Sequence, residues 1–356
     1  MKLGLVGYGF GGRIFHAPFI QAADGVEIGG VVARSADKIA QISVDLPGVP
    51  VFASLTEMIA DGSFDAVTIT TPPATHMPLA LEAIQAGLHV VCDKPFAMNL
   101  RDASQMAEAA VQKGVLLNVF QNRRRDTDLV TLASLIDAGT LGTVQRVDNR
   151  MDFDQIETLE RGPEGGLLRD LGSHLVDQML WLLGPVESVD AQVNHLDFDE
   201  GRTDADFVIH LRHVSGAHSY VSASKANHLD ARELRVYGTK GAYVVNGTDV
   251  QAREAIEGKR PATSDIWGEE PKSAWGTLYG ESGSRKIPSL RSNYSDYYTE
   301  FAKAVRDGTD GPVPARQSLR TVEVLDAARI AAASGQTVQL ETTIQQTDTP
   351  VDWRLL

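Results

Sequence analysis

The chain has 356 residues, 43% of them hydrophobic, and a formal net charge of −14. That length predicts two domains and that composition an ordinary packed core, while the negative charge argues against nucleic acid and anionic membrane surfaces as partners. One cysteine, Cys92, excludes an intrachain disulfide. No stretch approaches the roughly 18 uncharged apolar residues of a membrane helix. Met1 and Lys2 lead straight into an apolar run rather than a signal peptide, so the expectation is a cytoplasmic protein.

The first part of the chain alternates strand and helix patterns. Apolar runs at Lys2–Val6, Val26–Ala33, Asp65–Thr70, His89–Val91 and Leu116–Phe120 predict five strands. Helical patterns lie between them at Gly11–Ala23, Ser35–Ile42, Ser54–Ala60, Ala74–Ala86 and Asn99–Lys113, with another at Asp126–Ala138. Strands joined by helices imply a doubly wound parallel sheet, so residues 1–122 are predicted to form a Rossmann domain. From about residue 143 the pattern changes. Thr143–Phe153 reads as a strand and Leu167–Leu183 as an amphipathic helix stopped by Gly184-Pro185. Strand patterns at Val186–His195, Asp206–His213, His218–Ser224 and Glu233–Tyr237 follow without helices between them. They predict an open, mostly antiparallel sheet in an α+β domain over residues 123–356, with Ser215-Gly216 as a hairpin turn. Arg253–Lys286 reads as a long irregular loop, and Tyr294–Arg306 and Ser318–Ala333 as helices that pack back on the first domain.

Gly7-Tyr8-Gly9-Phe10-Gly11-Gly12 fits G-x-G-x-x-G in its required context, after a strand and opening a helix. Gly7 allows the tight turn, Gly9 the approach of a pyrophosphate, and Gly12 close packing of helix on strand. Backbone N–H groups at the helix start can hold phosphates even on an acidic protein. At the end of the second strand stands Val32-Ala33-Arg34-Ser35, with no carboxylate where an NAD site usually has one. Arg34 and Ser35 can instead grip a 2′-phosphate, which favours NADP over NAD; alternatively Arg34 stacks on adenine or points to solvent.

Other candidates lie at the ends of the same strands. Thr71, Pro72, Pro73 and His76 follow the third, where loops meet a ligand or where proline merely opens a helix. Asp93-Lys94-Pro95 follows the fourth; spacing alone makes Lys94 an ordinary surface lysine. Gln121, Asn122, Arg123, Arg124 and Arg125 follow the fifth, as contacts to cofactor or substrate or as a charged loop. In the second domain, Asp170 and His174 stand four apart on a helix and so share a face. A carboxylate beside an imidazole suits acid–base work, although capping or ion pairing is the commoner fate of a helical histidine. His174 and Asp177 have metal-ligand spacing, but no second histidine cluster supports a metal. His210, His213 and His218 read as surface residues of a hairpin.

Together these segments resemble the glucose–fructose oxidoreductase / inositol dehydrogenase / rhizopine catabolism (Gfo/Idh/MocA) family. The glycine turn, Asp93-Lys94-Pro95 in place of a Glu-Lys-Pro signature, and Asp170-Leu171-Gly172-Ser173-His174 carry the resemblance over nearly the whole chain. Phe15-His16-Ala17-Pro18 and Gln121-Asn122-Arg123-Arg124, followed by Asp126 and Asp128, resemble the branch containing NADP-dependent scyllo-inositol dehydrogenase. The resemblance implies a Rossmann domain and a C-terminal sheet that commonly serves as the contact of a homodimer or homotetramer. It also implies a catalytic set of Lys94, Asp170 and His174. The chain departs from that branch at Asp93, one methylene shorter than the usual Glu, and at Arg125, where an aromatic residue is more usual.

The expected activity is hydride transfer between NADP or NAD and a secondary hydroxyl of a small polyol or sugar. Asn122, Arg123, Asp152 and Asp154 join the catalytic set as substrate contacts. The glycine turn, Asp93, Lys94 and Gln121 join Arg34, Ser35 and the Thr71–His76 loop as cofactor contacts. The rivals are a nicotinamide- and sugar-sensing regulator without catalysis, and a dehydrogenase of a non-sugar substrate such as a dihydrodiol.

Overall fold

A computed structural model describes residues 1–247 and 249–341, so the last 15 residues assigned to the second domain lie outside the described residues. The chain divides into two compact units. One takes in residues 1–122 together with 251–267 and 293–319; the other takes in the rest.

In the first unit six parallel strands form one sheet: β1 (Lys2–Val6), β2 (Glu27–Val32), β3 (Val51–Phe52), β4 (Ala66–Ile69), β5 (His89–Cys92) and β6 (Leu117–Val119). Their order is β3-β2-β1-β4-β5-β6. The inner strands are apolar on both faces: Leu3, Leu5, Val67, Ile69, Val90 and Val91 are fully buried, as a sheet covered by helices on both sides requires. Winding reverses beside β1, so a crevice opens at the carboxyl ends of β1 and β4, where such sheets bind ligands.

The helices begin and end where the sequence supplies caps. Ser35, Ser54 and Asn99 accept the N-terminal N–H groups of α2 (Ala36–Asp45), α3 (Leu55–Asp61) and α5 (Leu100–Lys113). The helix after the glycine turn differs from its expected regular form. Gly11–His16 winds in the wider π manner before α1 (Ala17–Gln21) resumes α geometry. α4 is His76–Gln85. Two distant segments complete this unit. Trp267 and Tyr294 pack on Phe19 at ring separations of 5.6 and 5.3 Å, and Tyr297 and Tyr298 of α9 (Ser295–Asp307) pack on Phe120.

The second unit, which also carries α6 (Thr127–Asp137), has a nine-stranded sheet. It is built from β7 (Val144–Asp152), β8 (Val186–Phe198), β9 (Gly201–His213), β10 (His218–Ser224), β11 (Ala231–Gly238), β12 (Gly241–Asn246), β13 (Thr277–Gly280), β14 (Gly283–Lys286) and β15 (Val338–Gln339). Within it β7 and β10 pair in parallel, and every other recorded pairing is antiparallel. α7 (Leu167–Leu183) lays Leu168, Leu171, Leu175 and Met179 into a core with Phe207, Ile209, Leu211 and Val221 of the sheet. The segment expected to be an irregular loop instead contains α8 (Val250–Ile256) and the β13–β14 hairpin. β14 is exposed along its length, so it lacks the apolar alternation that marks a strand; backbone pairing at the sheet edge holds it. The final helix, α10, runs Ala315–Ser334.

His213 also differs from expectation. It is fully buried rather than on the surface. Its Nδ1 faces the Gly184 carbonyl at 2.9 Å and its Nε2 faces Ser219 Oγ at 2.8 Å. His210 and His218 are half-buried, stacked on each other and hydrogen-bonded ring to ring at 2.8 Å.

Candidate functional site

In the first unit the candidate cofactor residues gather at the carboxyl edge of the sheet. Gly7 has φ +104°, a conformation that side-chain-bearing residues rarely adopt. A Cβ at Gly12 would lie 2.6 Å from the Gly7 carbonyl oxygen and 2.7 Å from Thr70 Oγ1. Gly9 is different: nothing in the protein lies within 4 Å of the Cβ it lacks. The turn therefore needs glycine at Gly7 and Gly12 for its own packing, while Gly9 leaves open space above the backbone. That cradle fits a dinucleotide pyrophosphate. Phe10 is 67% exposed at its rim. Tyr8 is buried, donating to Asp45 Oδ2 at 3.1 Å, and Arg13 Nε reaches the same oxygen at 2.8 Å. Burial, and then the Asp45 charge, push the Tyr8 phenol up, so it stays a neutral donor.

Arg34 and Ser35 are exposed at the end of β2. Arg34 Nε donates to the Ala53 carbonyl at 3.2 Å, and Ser35 Oγ caps α2. No carboxylate stands between Val32 and Ser35; Asp37 sits in the first turn of α2. After β4, Thr71 Oγ1 shares a hydrogen bond with Thr75, and Pro73 opens a single 3₁₀ turn. His76 is buried under that loop. Its Nε2 faces the Thr71 carbonyl at 2.8 Å and its Nδ1 the Pro95 carbonyl at 3.1 Å. It thus ties the loop after β4 to the loop after β5. Burial is the largest influence on its imidazole and lowers it, favouring the neutral ring.

After β5, the Lys94–Pro95 peptide is cis. The Lys94 N–H donates to Asp93 Oδ1 at 2.8 Å. Burial alone would raise the Asp93 carboxyl, but His16, Lys94 and His76 together hold it below the ordinary range. Gln121 and Asn122 are buried after β6.

The second unit holds the other half of the predicted set. His174 is 5% exposed on α7, one turn beyond Asp170. Asp170 Oδ2 lies 3.2 Å from Lys225 Nζ, and that buried ammonium also donates to the Thr158 carbonyl. Nothing in the sequence pointed to Lys225, a lone lysine just past a strand end. Asp177 takes two hydrogen bonds from Arg124, both 2.7 Å, and one from Thr321. Its oxygens thus serve an internal ion pair instead of the metal that its spacing from His174 allowed.

The basic run at Arg123–Arg125 is therefore largely interior. Arg123 donates to Asp126 Oδ2 at 3.1 Å, and Arg125 is 2% exposed. Burial and the neighbouring Asp249 push the Asp126 carboxyl up to about 8, despite Arg123 beside it. The two aspartates named as polyol contacts part company. Asp152 is buried against Arg150 and Asn227, whereas Asp154 is 48% exposed and pairs with His228 at 3.0 Å.

Comparison with known proteins places this geometry in a class. Residues 1–121 match an oxidoreductase family with an NAD-binding Rossmann fold, and residues 129–244 match the Gfo/Idh/MocA C-terminal domain. The chain is 30% identical to scyllo-inositol 2-dehydrogenase (NADP(+)) of Bacillus subtilis, over 96% of each chain. It is 26% identical to myo-inositol 2-dehydrogenase of Thermotoga maritima, over 97% of this chain and all of that one. The crystal structure of an oxidoreductase from Bacillus cereus, 24% identical, shares the fold at a TM-score of 0.85, covering 96% of this chain and 99% of that one. The chain belongs to the Gfo/Idh/MocA oxidoreductase family. It is an NAD(P)-dependent enzyme. Among the described residues, no helix is long and apolar enough to cross a membrane.

Proposed function

We propose that the protein is a polyol or sugar dehydrogenase that prefers NADP and acts on a secondary hydroxyl of an inositol-like or cyclic substrate. The observation that carries this reading is Lys94 at the carboxyl end of β5, on the same edge of the sheet as the glycine turn. The similarity to two inositol dehydrogenases supports the substrate class.

A bound nicotinamide would supply the hydride acceptor. The remaining chemistry falls to side chains. Lys94 holds the reacting hydroxyl by donating to its oxygen. His174 accepts the hydroxyl proton as the carbonyl forms and returns it in the reverse reaction. Asp170 orients that exchange, with its charge set against Lys225. The second unit is the proposed substrate domain, and Asn122, Arg123, Asp152 and Asp154 are the proposed polyol contacts. The sheet face carrying the exposed Val208 and Tyr220 is the proposed subunit contact.

A panel of inositols, aldoses and anhydrosugars, each with NADP and with NAD, tests the reading through absorbance of the reduced nicotinamide. Turnover of at least one polyol is expected. His174→Asn is expected to lower kcat by roughly 10²- to 10⁴-fold on that substrate while still binding NADPH. Near-normal turnover by the folded variant contradicts the role given to His174. Silence across the panel with tight cofactor binding favours the sensing regulator instead.

A further inference from the structure

The motif residue His16 has no part in the chemistry just described, yet it is fully buried at the end of the helix that follows the glycine turn. Its Nδ1 lies 2.6 Å from Tyr298 Oη, and its Nε2 lies 3.2 Å from Asp93 Oδ2. The ring packs on Phe120 with centroids 4.3 Å apart, and Phe120 in turn packs on Tyr298. Asp93 is the residue whose other oxygen accepts the Lys94 N–H. The same Asp93 Oδ2 lies 3.3 Å from where a Cβ at Gly11 would stand. One carboxylate therefore touches the Lys94 peptide and the imidazole and faces the edge of the glycine turn.

The polarity of this chain follows from its ends. Asp93, held ionised, can only accept, so its charge favours the tautomer with the proton on Nε2. Burial drives the Tyr298 phenol well above its ordinary value, so it is a neutral hydroxyl able to donate to Nδ1. Tyr298 belongs to α9, 282 residues further along the chain, and it fixes the imidazole from behind. The Nε2 contact is electrostatic rather than an aligned hydrogen bond, since Nε2 has no partner of good hydrogen-bond geometry. Asp93 is also one methylene shorter than the glutamate of the family signature, and the imidazole lies at the tip of the shorter side chain.

We infer that His16, held by Tyr298, is a positioning residue: through Asp93 it sets the Lys94 backbone against the cofactor turn. The inference rests on Lys94 acting at the reaction centre. Misplacing a reacting group by about 1 Å can cost on the order of 100-fold in rate, and the brace reaches Lys94 through a single carboxylate.

Four variants of the full-length enzyme test it: Lys94→Ala, His16→Leu, His16→Gln and Tyr298→Phe. They are compared on kcat, KM for the polyol, NADPH affinity by fluorescence titration, and melting temperature. Lys94→Ala is expected to abolish most turnover. His16→Leu fills the space without a donor and is expected to lower kcat roughly 10- to 100-fold. His16→Gln keeps an N–H donor near the Nε2 position and is expected to recover much of that loss. Tyr298→Phe keeps the ring and is expected to lower kcat less than His16→Leu does. If Lys94→Ala is inactive but His16→Leu and His16→Gln fall equally, in step with their melting temperatures, His16 only fills space and the inference is wrong. Wild-type kcat in His16→Leu overturns it as well. Near-normal turnover by Lys94→Ala instead removes the role given to Lys94, which is the separate failure of the proposed function.

Discussion

Lys225 stands beside Asp170 of the proposed catalytic set. Its ammonium stands 3.2 Å from Asp170 Oδ2 and is itself buried, so the pair is screened less than a surface one. Lys225→Met keeps an unbranched side chain one atom shorter and removes its charge. The expected result is a loss of roughly 10- to 100-fold in kcat/KM for the polyol with NADPH affinity unchanged; steady-state kinetics beside a fluorescence titration checks it. Arg34 is the side chain proposed to meet the other partner, the cofactor. It is exposed, with Nε bound to the Ala53 carbonyl, which leaves the planar end of the guanidinium to grip a 2′-phosphate. Arg34→Ala is expected to reduce the preference for NADP over NAD by about tenfold or more. Equal kcat/KM ratios for the two cofactors in wild type and variant remove the basis for that clamp.

At the scale of elements, the sequence was informative where side chains carried the signal. α7 was legible at both ends because its apolar face is regular and Gly184-Pro185 stops it. β10 was legible because its residues alternate. β14 was not legible, since its stability comes from backbone pairing that any polar sequence can supply. The β9–β10 hairpin lies where the sequence pattern puts it, yet His213 within it is interior rather than on the surface. A histidine between Arg212 and Val214 gives no local sign that Gly184 and Ser219 will close over it.

That burial has a consequence for acid stability. It lowers the His213 imidazole to about 4, below the ordinary 6.5. Between those values the unfolded chain binds a proton that the folded one refuses, so stability falls as pH drops from about 6.5 towards 4. The loss from this group is on the order of 3 kcal/mol at the acid end. His213→Gln is expected to be less stable than wild type at pH 7.5 but to lose less on acidification. Urea unfolding at pH 7.5 and pH 5 measures both; parallel losses in the two proteins exclude His213 as a source of the slope.

Over the whole molecule, the acidic balance and an anionic cofactor are compatible because the turn that fits a pyrophosphate is made of backbone. The fold class was readable because alternating strands and helices, then strands alone, dictate two different sheets. The joining of residues 251–267 and 293–319 to the first unit depends on rings such as Trp267 and Tyr298 meeting partners hundreds of residues away. Local patterning carries no trace of such contacts. The same distance hid the Tyr298–His16 contact, although the Phe15-His16-Ala17-Pro18 motif had marked one end of it.

Direct transfer of hydrogen from carbon to nicotinamide is what separates a dehydrogenase from a sensor built on the same fold. A polyol substrate deuterated at the carbinol carbon, turned over with NADP in ordinary water, measures it. The account predicts that deuterium appears on the nicotinamide ring and that turnover slows with a primary isotope effect when chemistry limits the rate. Reduced cofactor carrying no deuterium, or no reduced cofactor from any polyol that binds, contradicts it.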